Sequence, residues 1–196
     1  ACSGRAHGPR PAALAQARAD HAKWWHDFWG QSWIVVSGKG ALPAGVGLRI
    51  AKQMCAGLNA AHQQGVVHRD IKPDNILIDG ETGRTMVTDC GIARAVSERS
   101  DQKLTATGIA IGTPAFMSPE QSAGDLDIDG RTDLYSLGIV AYQMLCGDLP
   151  FNATSAPALL VKHLSERPVP IDQRANVPAD LARAVMLCLE KNPADR

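Results

Sequence analysis

With 196 residues, 45% of them hydrophobic and 20% charged, the chain is long enough for one domain with its own core and too apolar for a disordered tail. Lysine plus arginine equals aspartate plus glutamate at 20 each, so no overall field points to nucleic acid or an anionic membrane, and any charge-based function is local. The five cysteines (Cys2, Cys55, Cys90, Cys146 and Cys188) are scattered, odd in number and form no CxxC pair, which argues against a disulfide framework or a zinc site and for a reducing cytoplasm.

No stretch approaches the roughly 18 consecutive apolar residues of a membrane span, and the N-terminus lacks the basic-then-apolar pattern of a signal peptide. The expected location is cytoplasmic. Because the chain runs from Ala1 to Arg196 without a starting Met or a tail, it reads as a fragment of something longer.

Residues 1–40 differ in texture from the rest, opening on a Gly/Pro/Arg/Ala-rich stretch and continuing as HAKWWHDFWGQSW, which holds all 4 tryptophans. An aromatic partner surface is one reading; a short amphipathic helix, or sequence foreign to the domain and poorly packed, is the plainer one. His21 and His26 have no further ligands to make a metal site. From Leu42, Val46, Ile50, Met54, Leu58 and Ala61 recur at helical spacing, with Gly65 placed to cap a long buried helix. Short strands are expected at 66–67, 76–78 and 86–88, with a turn at Asp79-Gly80.

Residues 92–131 show no sustained period, and an aperiodic loop of that length is usually functional or disordered. Leu134, Leu137, Gly138, Ala141, Met144 and Leu145 then mark a helix over 133–146, ended by Gly147 and Pro150. Weaker helices are predicted over 156–164 and 179–190, with Pro157 and Pro178 near their starts. The fold class is α+β and mainly helical.

Between the apolar runs Val66-Val67 and Ile76-Leu77-Ile78 sit His68, Arg69, Asp70, Lys72, Asp74 and Asn75. An unpaired charge costs several kcal/mol to desolvate, so polar groups packed this densely beside buried strands are paired or hold a ligand. HRDIKPDN at 68–75, TDCG at 88–91, GTPAFMSPEQ at 112–121, DGRTDLYSLG at 129–138 and KNPADR at 191–196 resemble, in the family's order, the large catalytic lobe of a protein kinase. GIAR, LTATG and DLYSLG are similar in style to bacterial eukaryotic-like serine/threonine kinases.

The resemblance implies a kinase large lobe over 41–196 that transfers the γ-phosphoryl group of ATP, with Mg2+, to Ser/Thr hydroxyls of protein substrates. It implies that Asp70 orients the hydroxyl and accepts its proton, and that Lys72 faces the transferred phosphate and favours Ser/Thr over Tyr acceptors. Asn75 and Asp89 would hold Mg2+, and Lys72 with them the nucleotide phosphates. Asp133 would anchor the catalytic-loop backbone, and Thr113 would lie beside Asp70 and help place the acceptor. Glu120 and Arg196 match a buried ion pair whose rupture costs about 3–5 kcal/mol, with Arg196, the final residue, open to fraying. Arg69 matches the arginine that receives an activation-loop phosphate, and Thr105 and Thr107 lie where such kinases are phosphorylated or, alternatively, in an unmodified polar loop.

Two features depart from the family. The chain shows no small lobe: GKGALPAGVG offers Gly38, Gly40, Gly45 and Gly47 without a third glycine at the required step, and Lys52 of IAK belongs to the helical pattern as a solvent-facing lysine. Trp33 to Val36 would at most be a remnant of the last small-lobe strand. Between Asp89 and Gly91 the family nearly always has phenylalanine, whose ring packs on His68 and the small lobe; here Cys90 stands there, a gap that weakens the active arrangement by roughly a few kcal/mol. A redox role for Cys90 has no neighbouring group to support it. The chain alone is therefore expected to be inactive, and a pseudokinase-like binding module or a truncated gene product is the alternative.

Overall fold

The computed structural model describes residues 41–80, 82–89 and 113–196. The expectations for residues 1–40 and for Cys90, Gly91, Thr105 and Thr107 lie outside them. Helix α1 (Ala44–His62) buries Gly47, Ile50, Met54 and Leu58 on one face, and Lys52 is exposed. Its end is closed by Gly65, at φ 72, with Gly65 N–H donating to the His62 carbonyl (2.9 Å) and Val66 N–H to Ala61 (3.0 Å). This left-handed turn needs a residue without a Cβ penalty.

No strand forms at 66–67. The Val66 N–H is consumed in closing α1, and the His68 and Arg69 amides just beyond go to the Asp133 carboxylate, so the segment is held by these bonds and has no strand partner among the described residues. Strands β1 (Ile76–Ile78) and β2 (Thr85–Val87) pair antiparallel, with Ile76 opposite Val87 and Ile78 opposite Thr85. Gln53 of α1 clamps the hairpin from below, its Oε1 accepting from Thr85 N–H (2.9 Å) and its Nε2 donating to the Gly83 carbonyl (3.3 Å).

A short helix, α2 (Pro119–Ala123), lies inside the stretch where the sequence shows no period. It is too short to display one; its signal is the Ser118 cap, which exchanges hydrogen bonds with Gln121. Helix α3 (Arg131–Cys146) is the centre of the domain, with Tyr135, Ile139, Val140 and Tyr142 fully buried, so its apolar residues extend around the axis rather than along one stripe. Helices α4 (Ala156–Ser165) and α5 (Ala179–Cys188) complete the described elements, with single turns of 3-10 helix at 73–75, 114–116, 171–173 and 193–195. Helix α3 packs against α1 on one side and α5 on the other, while α4 covers α2 and the 114–116 turn. Each large apolar side chain buried in this core contributes about 1.5–3 kcal/mol.

Candidate active site

The site begins with a carboxylate that solvent cannot reach. Asp133, in the first turn of α3, has no exposed surface, and each of its oxygens is engaged. Oδ2 accepts from the His68 N–H (2.8 Å) and pairs with His62 Nε2 (2.7 Å), while Oδ1 accepts from the Arg69 N–H (2.8 Å). A buried carboxylate is tolerated when its lone pairs are filled in this way, and here the filling is done by the backbone that it holds. His62 arrives from the last turn of α1 and lies flat against Gly130, where a Cβ would stand 2.6 Å from its Nδ1. Glycine at 130 is a requirement of close approach, not of backbone angle.

Arg69 is turned to φ 66, a conformation that typically costs a non-glycine residue about 1–3 kcal/mol. It is gripped from both ends: its N–H by Asp133, and its carbonyl by the Gln121 Nε2 (2.8 Å). The same Gln121 accepts from the Ser118 N–H through Oε1 (3.0 Å), so the start of α2 and the 68–75 loop are fastened by one amide. Ser136 adds a further tie, its hydroxyl donating to the Phe116 carbonyl (2.7 Å).

The buried ring of His68 joins the loop to the end of β2. Its Nε2 meets the Thr88 carbonyl (2.8 Å) and its Nδ1 accepts from the Asp70 N–H (3.3 Å), a pair of bonds that the Nε2-protonated neutral ring satisfies together. Thr88 returns two bonds to the Asn75 carbonyl, from its N–H (2.9 Å) and its hydroxyl (3.3 Å). Asp89 follows directly, at φ 59, the left-handed region that Asp enters more readily than most residues.

Asp70, Lys72 and Asn75 form one bonded group. Lys72 Nζ lies 2.7 Å from Asp70 Oδ2, and Asn75 Nδ2 donates to the Asp70 carbonyl (2.7 Å) and to Oδ2 (3.3 Å). Asn75 is buried, but the Asp70 side chain is 42% exposed, so the group opens to solvent on the carboxylate side. With Nδ2 committed, Asn75 Oδ1 has no hydrogen-bond partner among the described residues. The Asn75 amide oxygen and the Asp89 carboxylate are hard donors that suit Mg2+. Among the described residues no cluster of three or more His, Cys, Asp or Glu could hold a metal ion by itself, so a cation here would draw further oxygens from phosphate or water.

Farther out, Arg196 reaches Glu120 with both terminal nitrogens (2.7 and 2.8 Å), and its guanidinium also donates to the carbonyls of Arg131, Glu190 and Lys191. The arginine side chain is fully buried, so the final residue is not frayed. Burial alone would raise the Glu120 carboxyl; the Arg196 guanidinium and the Thr132 hydroxyl outweigh it and hold the group below its ordinary range. Thr113 stands exposed at the start of the 114–116 turn, and no hydrogen bond joins it to Asp70 among the described residues. Sequence reasoning missed His62, Gln121, Ser136 and Gly130. Only Gln121, three residues after Ser118, carried a local signal.

The protein kinase domain family matches residues 30–196. Serine/threonine-protein kinase PknB of Mycobacterium leprae is 40% identical over 163 residues, covering 83% of this chain and 26% of that protein. Two kinases of Myxococcus xanthus are comparable: Pkn1 is 44% identical over 79% of this chain and 22% of its own length, and pkn3 is 40% identical over 83% and 31%. The chain thus spans between about a fifth and a third of the length of the curated relatives it matches. No helix among the described residues is long and apolar enough to cross a membrane. With the family matched over most of its length and relatives of one kind along the same stretch, the chain belongs to the protein kinase family, on its bacterial eukaryotic-like serine/threonine branch.

Proposed function

We propose that residues 41–196 are the large lobe of a serine/threonine protein kinase that transfers the γ-phosphoryl group of ATP to Ser or Thr hydroxyls of protein substrates. The observation that carries this reading is the bonded group Asp70–Lys72–Asn75, stitched directly and through His68 to Thr88, the residue before Asp89. Asp70, exposed at its carboxylate, orients the acceptor hydroxyl and takes its proton as the oxygen attacks the γ-phosphorus and the bond to the ADP oxygen breaks. Lys72, already on Asp70 Oδ2, lies where negative charge passes during transfer and offsets it. Asn75 is oriented by Asp70 so that Oδ1 is left for Mg2+, with Asp89 as the second protein ligand. Bound Mg2+ would neutralise phosphate charge and hold the phosphates in line.

Arg69 is assigned to an activation-segment phosphate and Thr113 to acceptor placement, with Thr105 and Thr107 as the phosphorylation sites. The free thiols Cys55, Cys146 and Cys188 accord with a reducing cytoplasm. The second reading, a protein-binding module without catalysis, draws on Cys90 in place of the family's phenylalanine.

Phosphotransfer to a serine-containing protein separates the two. The 196-residue chain should transfer little phosphate, since phosphates misplaced by about 1 Å cost on the order of a hundredfold. A chain completed with a relative's small lobe ahead of Trp33 should transfer to Ser or Thr, more so with Cys90→Phe, and lose transfer with Asp70→Asn. A lobe-completed chain that binds protein but never transfers phosphate would favour the binding module. Robust autophosphorylation by the unfused chain, sensitive to Asp70→Asn, would overturn the need for an added lobe.

A further inference from the structure

Away from the Asp70 group the domain buries a second set of titratable side chains. His163 of α4 has no exposed surface, and its Nδ1 lies 3.1 Å from the Tyr135 hydroxyl on α3. Lys191 Nζ reaches the same hydroxyl (3.3 Å) and sits 4.3 Å over the Phe151 ring, whose centroid is 5.1 Å from that of His163. Arg196, paired with Glu120, covers the other side of Tyr135, 4.9 Å from its ring.

These contacts set the direction of every proton. An ammonium only donates, so the Tyr135 oxygen accepts from Lys191, and among the described residues His163 Nδ1 is the acceptor within reach of its own hydrogen. The ring proton is then on Nε2. Burial first, and the Lys191 charge second, disfavour a second proton and bring the His163 pKa down to about 4. What is left over is a buried Nε2–H that has no partner at hydrogen-bond geometry among the described residues. An orphan of this kind is rare in folded proteins, and the backbone of Pro114 and Ala115 lies near enough to the ring to favour a proton on it without reaching hydrogen-bond geometry. Helix α4 packs directly on that turn.

Resting on the proposed function, we propose that His163 is a positioning residue: its Nε2–H is the donor that sets the place of the Pro114–Phe116 turn, and so of Thr113 and the surface that receives the acceptor segment. The turn has no other side-chain tie among the described residues than Ser136, which holds its far end at the Phe116 carbonyl. The near end, at Pro114 and Ala115, faces His163. A small shift of the turn, or one bridging water, closes the link.

Two substitutions divide the ring between its nitrogens. His163→Asn keeps an acceptor for Tyr135 near the Nδ1 place and removes the Nε2 donor; His163→Gln keeps an N–H near the Nε2 place. In the 196-residue chain, long-range 1H–15N spectra should show His163 as the Nε2–H tautomer from pH 7 to pH 5, where Lys191, whose pKa burial lowers to about 8, is still an ammonium. Amide exchange at Phe116 and Met117, which close the turn onto Thr113 and Pro114, should accelerate about tenfold in His163→Asn and stay within about twofold in His163→Gln. In the lobe-completed chain, His163→Asn should raise the KM for a protein acceptor about fivefold, with kcat and the KM for ATP unchanged and Gln restoring it. An Nδ1–H tautomer, equal exchange in the two variants, or a matching rise in both KM values would overturn the proposal. Absence of transfer by the lobe-completed parent counts against the proposed function alone, and the tautomer and exchange results still decide the role of His163.

Discussion

Asp133→Asn tests whether one buried carboxylate holds the catalytic loop. The amide can keep a single acceptor oxygen, and the better choice places it where His68 N–H and His62 Nε2 now converge. The NH2 group then faces the Arg69 N–H across 2.8 Å, donor against donor, in a site with no solvent. Stranding a buried donor costs about 1–3 kcal/mol, and the two bonds that survive fall from charge-assisted strength, about 1.5–3 kcal/mol each, to about 0.5–1.5. Relief of the desolvation carried by the buried charge offsets part of this. The balance is about 3 kcal/mol of destabilisation, which with an m-value of about 2 kcal/mol/M lowers the urea midpoint by about 1.5 M. Arg69, whose φ of 66 is gripped at both ends, should relax, and the amides of His68 and Arg69 should lose exchange protection before the rest of the core. A midpoint shift below about 0.3 M at unchanged m, or undiminished protection at those two amides, would refute the reasoning.

Gly130 is the N-cap of α3, where alanine is already less favourable than glycine, and here the new methyl also meets the His62 ring, which cannot swing away without releasing Asp133. A net loss of about 1–3 kcal/mol in urea titration is expected, and it should shrink in a His62→Ala background; simple additivity of the two changes would count against the contact. Acid should act through His163: with a folded pKa of about 4 against an ordinary 6.5, the unfolded chain binds more protons across that window, so stability falls as pH drops through it. The loss between pH 7 and pH 5 should be about 2 kcal/mol and should be smaller in His163→Gln; identical pH profiles for the two chains would show that the ring is not buried neutral. Below pH 4.5 a second loss should follow as Glu120, held low by Arg196 and Thr132 against its burial, takes up a proton and releases the arginine.

Much of this molecule was legible in its sequence because the relevant information is local. Helices α1, α3, α4 and α5 follow from apolar spacing, Gly65 and Gly147 from the left-handed turns that end the first two, and the family from motifs whose residues stand next to one another in the chain. The resemblance also pointed to Asp133, Glu120 and Arg196, although nothing in their own neighbourhoods says what they touch. Tertiary structure decided the rest. Val66 and Val67 have the composition of a strand but not its partner, because Val66 closes α1 and the two amides that follow Val67 are tied to Asp133, which holds the segment away from any ladder among the described residues. His62 reads as an ordinary residue near a helix end, and Gly130 as a loop glycine, until α1 and α3 are brought together and each explains the other. His163 reads as one more polar position of an amphipathic helix; only the packing of α3, α4 and the 191–196 segment encloses it, denies it a second proton, and leaves its Nε2 unpartnered among the described residues, in the helix that packs on the turn at Pro114. Periodicity records which face of an element turns inward. Which group from a distant element awaits it there depends on how the chain closes on itself.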